Sequence, residues 1–165
     1  MSYQIIEGDI FETQAKYLAH QCNAITTKAA HLSASVFARY PWADIYSPRA
    51  GVDFDKLPLE GEKPGDIVIK GNGQDQRYVI NMIGQLYPGK PKFPESEKDG
   101  YVARQFYFRN ALLKIIKIPN LESVAFPYKV GCGAAGGEWD VYDGFLKIIA
   151  NKIEADVFVY KLPGL

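Results

Sequence analysis

The run Gly131-Cys132-Gly133-Ala134-Ala135-Gly136-Gly137 has four glycines and no side chain larger than cysteine. It lies between a strand-like stretch, residues 123–130, and a helix opening at Glu138. Such a loop lets ligand oxygens reach peptide N–H groups directly, and the helix N-terminus behind it adds positive potential. Together these favour a bound phosphate or diphosphate. The structural alternative is a tight strand-to-helix turn whose small residues serve packing, although four glycines exceed what a simple turn needs.

Gly131, Gly133 and Gly136 satisfy the dinucleotide-binding spacing G-x-G-x-x-G. A Rossmann unit would begin a parallel sheet with further strands to follow, but only one strand-like segment remains, and Asp156 starts that strand instead of ending it. NAD is therefore discounted, and no other cofactor or metal is implied. A Walker loop would need Lys and Ser/Thr after Gly136, where the chain has Gly137 and Glu138. A cysteine phosphatase would usually place an arginine six residues after the nucleophile. Cys22 is followed at that distance by Lys28 and Cys132 by Glu138, so both thiols read as small packing residues.

Around the loop the chain alternates strands and helices. Residues 3–6 and Tyr17–Asn23 are strand candidates. After the loop 24–30, Leu32, Val36, Phe37 and Tyr40 recur at helical spacing until Pro41 stops the helix. Residues 46–65 read as a long surface connection. Ile67–Lys70 and residues 78–83 flank the Asn72-Gly73 turn signal and predict a hairpin. Residues 86–94 hold three prolines and read as irregular. Ser96 then caps a helix placed over about residues 97–118, with Phe106, Leu112, Leu113 and Ile116 inward. Tyr142, Phe145, Leu146, Ile149 and Ile153 give the cleanest helical stripe, and residues 156–162 close with a strand. The expectation is a single three-layer α/β/α domain over residues 1–165 with a central mixed sheet, its ligand beyond the carboxyl ends of the strands.

Nineteen Lys and Arg balance nineteen Asp and Glu, so the overall field favours neither nucleic acid nor a membrane surface as partner. A small ligand is the expected one. Two distant cysteines and an N-terminus with no basic leader or apolar run point to a reduced, intracellular and cytoplasmic setting, with the nucleus also open.

Four segments in this order, Glu7-Gly8-Asp9-Ile10-Phe11, Leu18-Ala19-His20-Gln21-Cys22-Asn23, Ala125-Phe126-Pro127 leading to Gly131-Cys132-Gly133, and Val157-Phe158-Val159-Tyr160, resemble a macrodomain. The likeness is strongest to the branch of ADP-ribose-1''-phosphate phosphatases and related deacylating macrodomains, and it spans nearly the whole chain. It implies ADP-ribose or ADP-ribose-1''-phosphate as ligand, free or carried on ADP-ribosylated macromolecules. By this resemblance Asp9 accepts a hydrogen bond from the adenine amino group beside the backbone of Ile10, and Tyr160 lies near the adenine. Asn23 heads the loop around the distal ribose, and His20 matches a proposed catalytic residue. Each also has a plain reading: a turn aspartate, a core tyrosine, a turn-capping asparagine and a buried strand histidine. In a regular strand His20 and Asn23 would point to opposite faces, so they meet only if the chain turns by Asn23.

The chain also departs from that pattern. Where deacylating relatives carry a lysine at the end of the central strand and an aspartate in the glycine loop, this chain has Gln85 and Ala135, so a lysine-nucleophile route lacks its donor. The first loop lacks a triple glycine and reads Thr26-Thr27-Lys28-Ala29-Ala30-His31-Leu32, with His31 either touching the ligand, plugging the site or lying on the surface. Four functions follow: a phosphatase using His20 and Asn23, a reader that binds ADP-ribose without turnover, an ADP-ribosyl hydrolase by a route that does not use the lysine/aspartate pair, or a domain for another phosphate ligand.

Overall fold

In a computed structural model, residues 2–164 are described. Six strands form one mixed sheet: β1 (Ser2–Glu7), β2 (Tyr17–Asn23), β3 (Ile67–Lys70), β4 (Tyr78–Gln85), β5 (Ser123–Pro127) and β6 (Asp156–Lys161), in the order β1-β6-β5-β2-β4-β3. All neighbours are parallel except β3 and β4, which form the antiparallel hairpin predicted from Asn72-Gly73. The helices are α1 (His31–Arg39), α2 (Leu57–Glu60), α3 (Tyr101–Ile115) and α4 (Trp139–Lys152).

Strand periodicity sorts the apolar residues onto two faces. Tyr17, Ala19, Ile80, Met82, Val124, Phe126, Val157 and Val159 face α3 and α4, where they meet Phe108, Leu112, Tyr142 and Leu146. Leu18, Cys22, Val79, Ile83 and Ala125 face the other way, onto Val36 and Phe37 of α1 and onto Tyr40, Ile45, Tyr46 and Leu57. The result is the expected three-layer α/β/α architecture, with the parallel strands ending on one edge.

Several boundaries differ from the expectations. The connection 46–65 folds into single 3-10 turns at Ser47–Arg49 and Phe54–Lys56 and the short helix α2. The strand expected over 123–130 stops at Pro127, and residues 128–130 turn away. The greatest difference is in α3. Ser96 does not cap it: the hydroxyl accepts from Lys98 N and Asp99 N in a separate turn, and the helix begins after Gly100. Its inward face is Arg104, Phe108, Ala111, Leu112 and Ile115, while Phe106 and Leu113 are exposed. The helix is turned relative to the prediction because a charged residue, Arg104, occupies the buried stripe.

Candidate functional site

The parallel strands deliver their ends to one cleft of about 480 Å³, within the roughly 300–1,000 Å³ usual for small-molecule sites. It is lined by the end of β2, the loop from Pro127 to Ala135, Pro88 and Gly89, and Thr26, Lys28 and Ala30–Ser33.

The glycine loop divides its amides between two tasks. Cys132 N donates to Lys129 O, Gly136 N to Gly133 O and Gly137 N to Gly131 O, so these three hold the loop together. The N–H groups of Gly131, Gly133, Ala134 and Ala135 have no acceptor among the described residues, and these four residues line the cleft. The cradle is thus shorter than the run from Gly131 to Gly137. Gly136 and Gly137, expected as ligand contacts, use their amides within the loop and are not among the residues lining the cleft. A Cβ on Gly137 would lie 2.6 Å from Gly131 O and 2.8 Å from the Tyr142 ring. Gly131 has φ +78 and equally little room, whereas Gly133 has open space before it. The Cys132 thiol is pushed up to about 12 by burial, which keeps it protonated at neutral pH.

Asn23 and His20 both line this cleft because the ladder is irregular there: Cys22 pairs with Ile83 but Asn23 with Gln85, leaving Gly84 as the extra residue of β4. Asn23 Oδ1 accepts from Ile25 N, Thr26 N (both 2.9 Å) and Thr26 Oγ1, which fixes its amide and leaves Nδ2 without a partner among the described residues. His20 is 1% exposed. Asn81 Nδ2 donates to Ala43 O and Val68 O, so its Oδ1 must accept, and it takes the His20 Nε2 proton at 2.6 Å. His20 Nδ1 is then the acceptor 3.0 Å from Ser33 Oγ, whose single proton it shares with Gln21 O at 3.3 Å. Burial lowers the imidazole to about 4, so it is neutral at pH 7 with both nitrogens engaged. The expected acid/base role therefore meets a geometry that favours the plain reading, a satisfied strand histidine. Cys22 is likewise pushed up to about 12 by burial.

His31 opens α1 with φ +54, in the left-handed region, and its exposed ring stands with Leu32 on the cleft wall. Asp9, Ile10 and Tyr160 lie outside this cavity, along the same edge of the sheet. Tyr160 pairs with both Ile6 and Pro127, and Gly8 N donates to Lys161 O, so the three continue the row from the Pro127 end. Asp9 Oδ1 accepts from Phe11 N in a 3-10 turn, and Ile10 is buried in the α1-side core.

Two buried arginines escape a sequence reading. Arg104, 2% exposed, uses every guanidinium donor: Nε on Asp99 Oδ1, Nη2 on Asp99 Oδ2 and Tyr87 O, and Nη1 on Gly89 O and Ala135 O. Arg49 donates to Asn23 O and Thr26 O and lies over the Tyr46 ring, while Tyr46 Oη accepts from Asn23 N. The available signals were slight: Arg104 is in phase with Phe108 and Leu112, and Arg49 sits in a stretch without periodicity.

An α/β/α layering with this strand order and a cleft at the parallel strand ends is the macrodomain fold. The chain superposes on the macrodomain of Mycobacterium tuberculosis DarG with a TM-score of 0.71 at 17% identity, covering 96% of each chain. For the macrodomain of Thermus aquaticus DarG the TM-score is 0.69 at 18% identity, with 96% and 97% covered. Thermosipho africanus DarTG, solved in complex with ADP-ribose, matches with a TM-score of 0.66 at 18% identity over 97% of this chain and 41% of that one. In sequence, the chain is 25% identical to an uncharacterised 17.5 kDa protein from the tk-vs intergenic region of Enterobacteria phage T4, over 93% of this chain and 94% of that protein. No family model matches the chain.

Proposed function

We propose that the cleft binds ADP-ribose-type ligands, with the diphosphate on the glycine loop, the adenine toward Asp9, Ile10 and Tyr160, and the distal ribose toward Asn23 and His31. The observation that carries this reading is the set of four unpaired amides, Gly131, Gly133, Ala134 and Ala135, on one wall of a cleft whose lining also includes Lys28 and Lys129. Backbone amides and lysines hold a diphosphate without any titrating side chain. The fold shared with a protein solved in complex with ADP-ribose supports the same ligand.

Hydrolysis of ADP-ribose-1''-phosphate is the second reading. It is favoured by Asn23 Nδ2, a donor left over at the distal end. With His20 neutral and fully bonded, and with Gln85 and Ala135 offering no acid or base, turnover would rest on positioning and electrostatics. Calorimetry with ADP-ribose should show binding that weakens at least tenfold in Asp9→Ala, and no binding by the wild type would end both readings. Phosphate release from ADP-ribose-1''-phosphate separates them. Release that is lost in Asn23→Ala supports the phosphatase, whereas binding without release makes the protein a reader of free or macromolecule-linked ADP-ribose.

A further inference from the structure

Resting on the ADP-ribose reading, we propose that Arg104 and Asp99 are positioning residues that set the width of the diphosphate groove from beneath. The cleft is lined by two segments of unrelated sequence, the glycine loop and Pro88–Gly89, and Arg104 bonds to both. Its Nη1 donates to Gly89 O at 2.6 Å and to Ala135 O at 3.3 Å. Asp99 completes the clamp, because its carboxylate accepts Leu86 N at 2.7 Å and Tyr87 N at 3.1 Å while holding Arg104 in a two-point pair.

The segment 87–89 has few other supports. Tyr87, Pro88 and Gly89 are exposed, and among the described residues their carbonyls otherwise receive only Gln85 Nε2, at 2.8 Å on Tyr87 O and 3.4 Å on Gly89 O. A planar guanidinium with five donors in fixed directions can span an aspartate and three carbonyls at once. A lysine ammonium, with three donors on one atom, cannot. By holding the Ala135 carbonyl, Arg104 fixes the Ala135–Gly136 peptide that closes the loop on Gly133 O, beside the amide row of residues 133–135. It also fixes how far that amide row stands from Gly89.

The test uses Arg104→Lys and, as the milder change, Asp99→Asn, in the full chain. Hydrogen exchange without ligand reads the coupling itself. In either variant, the bonded amides of Leu86 and Tyr87 on one side and of Gly136 and Gly137 on the other should exchange at least tenfold faster together, while β2 and β6 keep their protection. Faster exchange confined to one wall, or spread evenly over the whole sheet, overturns the proposal. Titration then reads the consequence: ADP-ribose affinity should fall at least tenfold with adenosine affinity unchanged, since only the diphosphate lies in the groove. An equal loss for both ligands, or no loss, also overturns it. If the wild type binds no ADP-ribose, the ligand reading fails, and the coupling is judged by exchange alone.

Discussion

Between the sheet and α1, the His20 imidazole gives its proton to Asn81 and takes one from Ser33, and burial holds it neutral down to about pH 4. In the unfolded chain the same ring protonates near its ordinary value of about 6.5. The folded state gains no matching proton, so its stability is complete above about pH 6.5 and declines as the pH falls toward 4, by on the order of 3 kcal/mol. Urea denaturation across that window should show the slope in the wild type and its removal in His20→Gln. The glycine loop allows a second contrast at this scale. Gly131→Ala places a methyl 2.6 Å from the Tyr142 ring at φ +78 and should cost about 2 kcal/mol or more in thermal unfolding. Gly133→Val points into open space, so it should keep stability while narrowing the cleft, and calorimetry should find weaker ADP-ribose binding.

Helix α3 sets the lesson for elements. Phe108 and Phe106 are two residues apart, yet one is fully buried and the other 54% exposed. Phe108→Ala should therefore destabilise by about 3–5 kcal/mol and Phe106→Ala by less than about 0.5 kcal/mol, read from denaturant midpoints. Counting apolar residues puts Phe106 inward because a charged side chain on a helix is expected to face water; the structure instead satisfies Arg104 completely inside. The strands were legible from alternation and turn signals, and Tyr17–Asn23 and Ile67–Lys70 have the predicted limits. The glycine loop was legible as a small-residue loop between strand and helix, but which of its amides bond within it and which stay open to the cleft depends on hydrogen bonds that composition does not reveal. The convergence of His20 and Asn23 depends on the extra residue at Gly84, which a regular strand pattern cannot foresee. Arg49 and Tyr46, which hold the Asn23 turn, come from a segment with no periodicity at all.

For the molecule as a whole, formal charge sums to zero, so any attraction for an anion must be local. Lys28 and Lys129 line the cleft, and the Lys90 side chain lies beside Gly136. Replacing Lys28 and Lys129 with Gln should weaken ADP-ribose binding several-fold at low salt. The gap between wild type and variant should shrink as the Debye length falls from about 30 Å at 0.01 M to about 8 Å at 0.15 M. Calorimetry at the two salt concentrations checks this. Strand order carries another consequence. Among the described strands β1 lies at the edge of the sheet and pairs with β6 alone, so of these six strands the earliest made has no partner until the latest has been made. At about 5–20 residues per second, β1 waits for several seconds or more as a loose ribbon. The sheet edge that carries Asp9 is therefore the final part to be assembled, and a nascent chain acquires its glycine loop before that edge is in place.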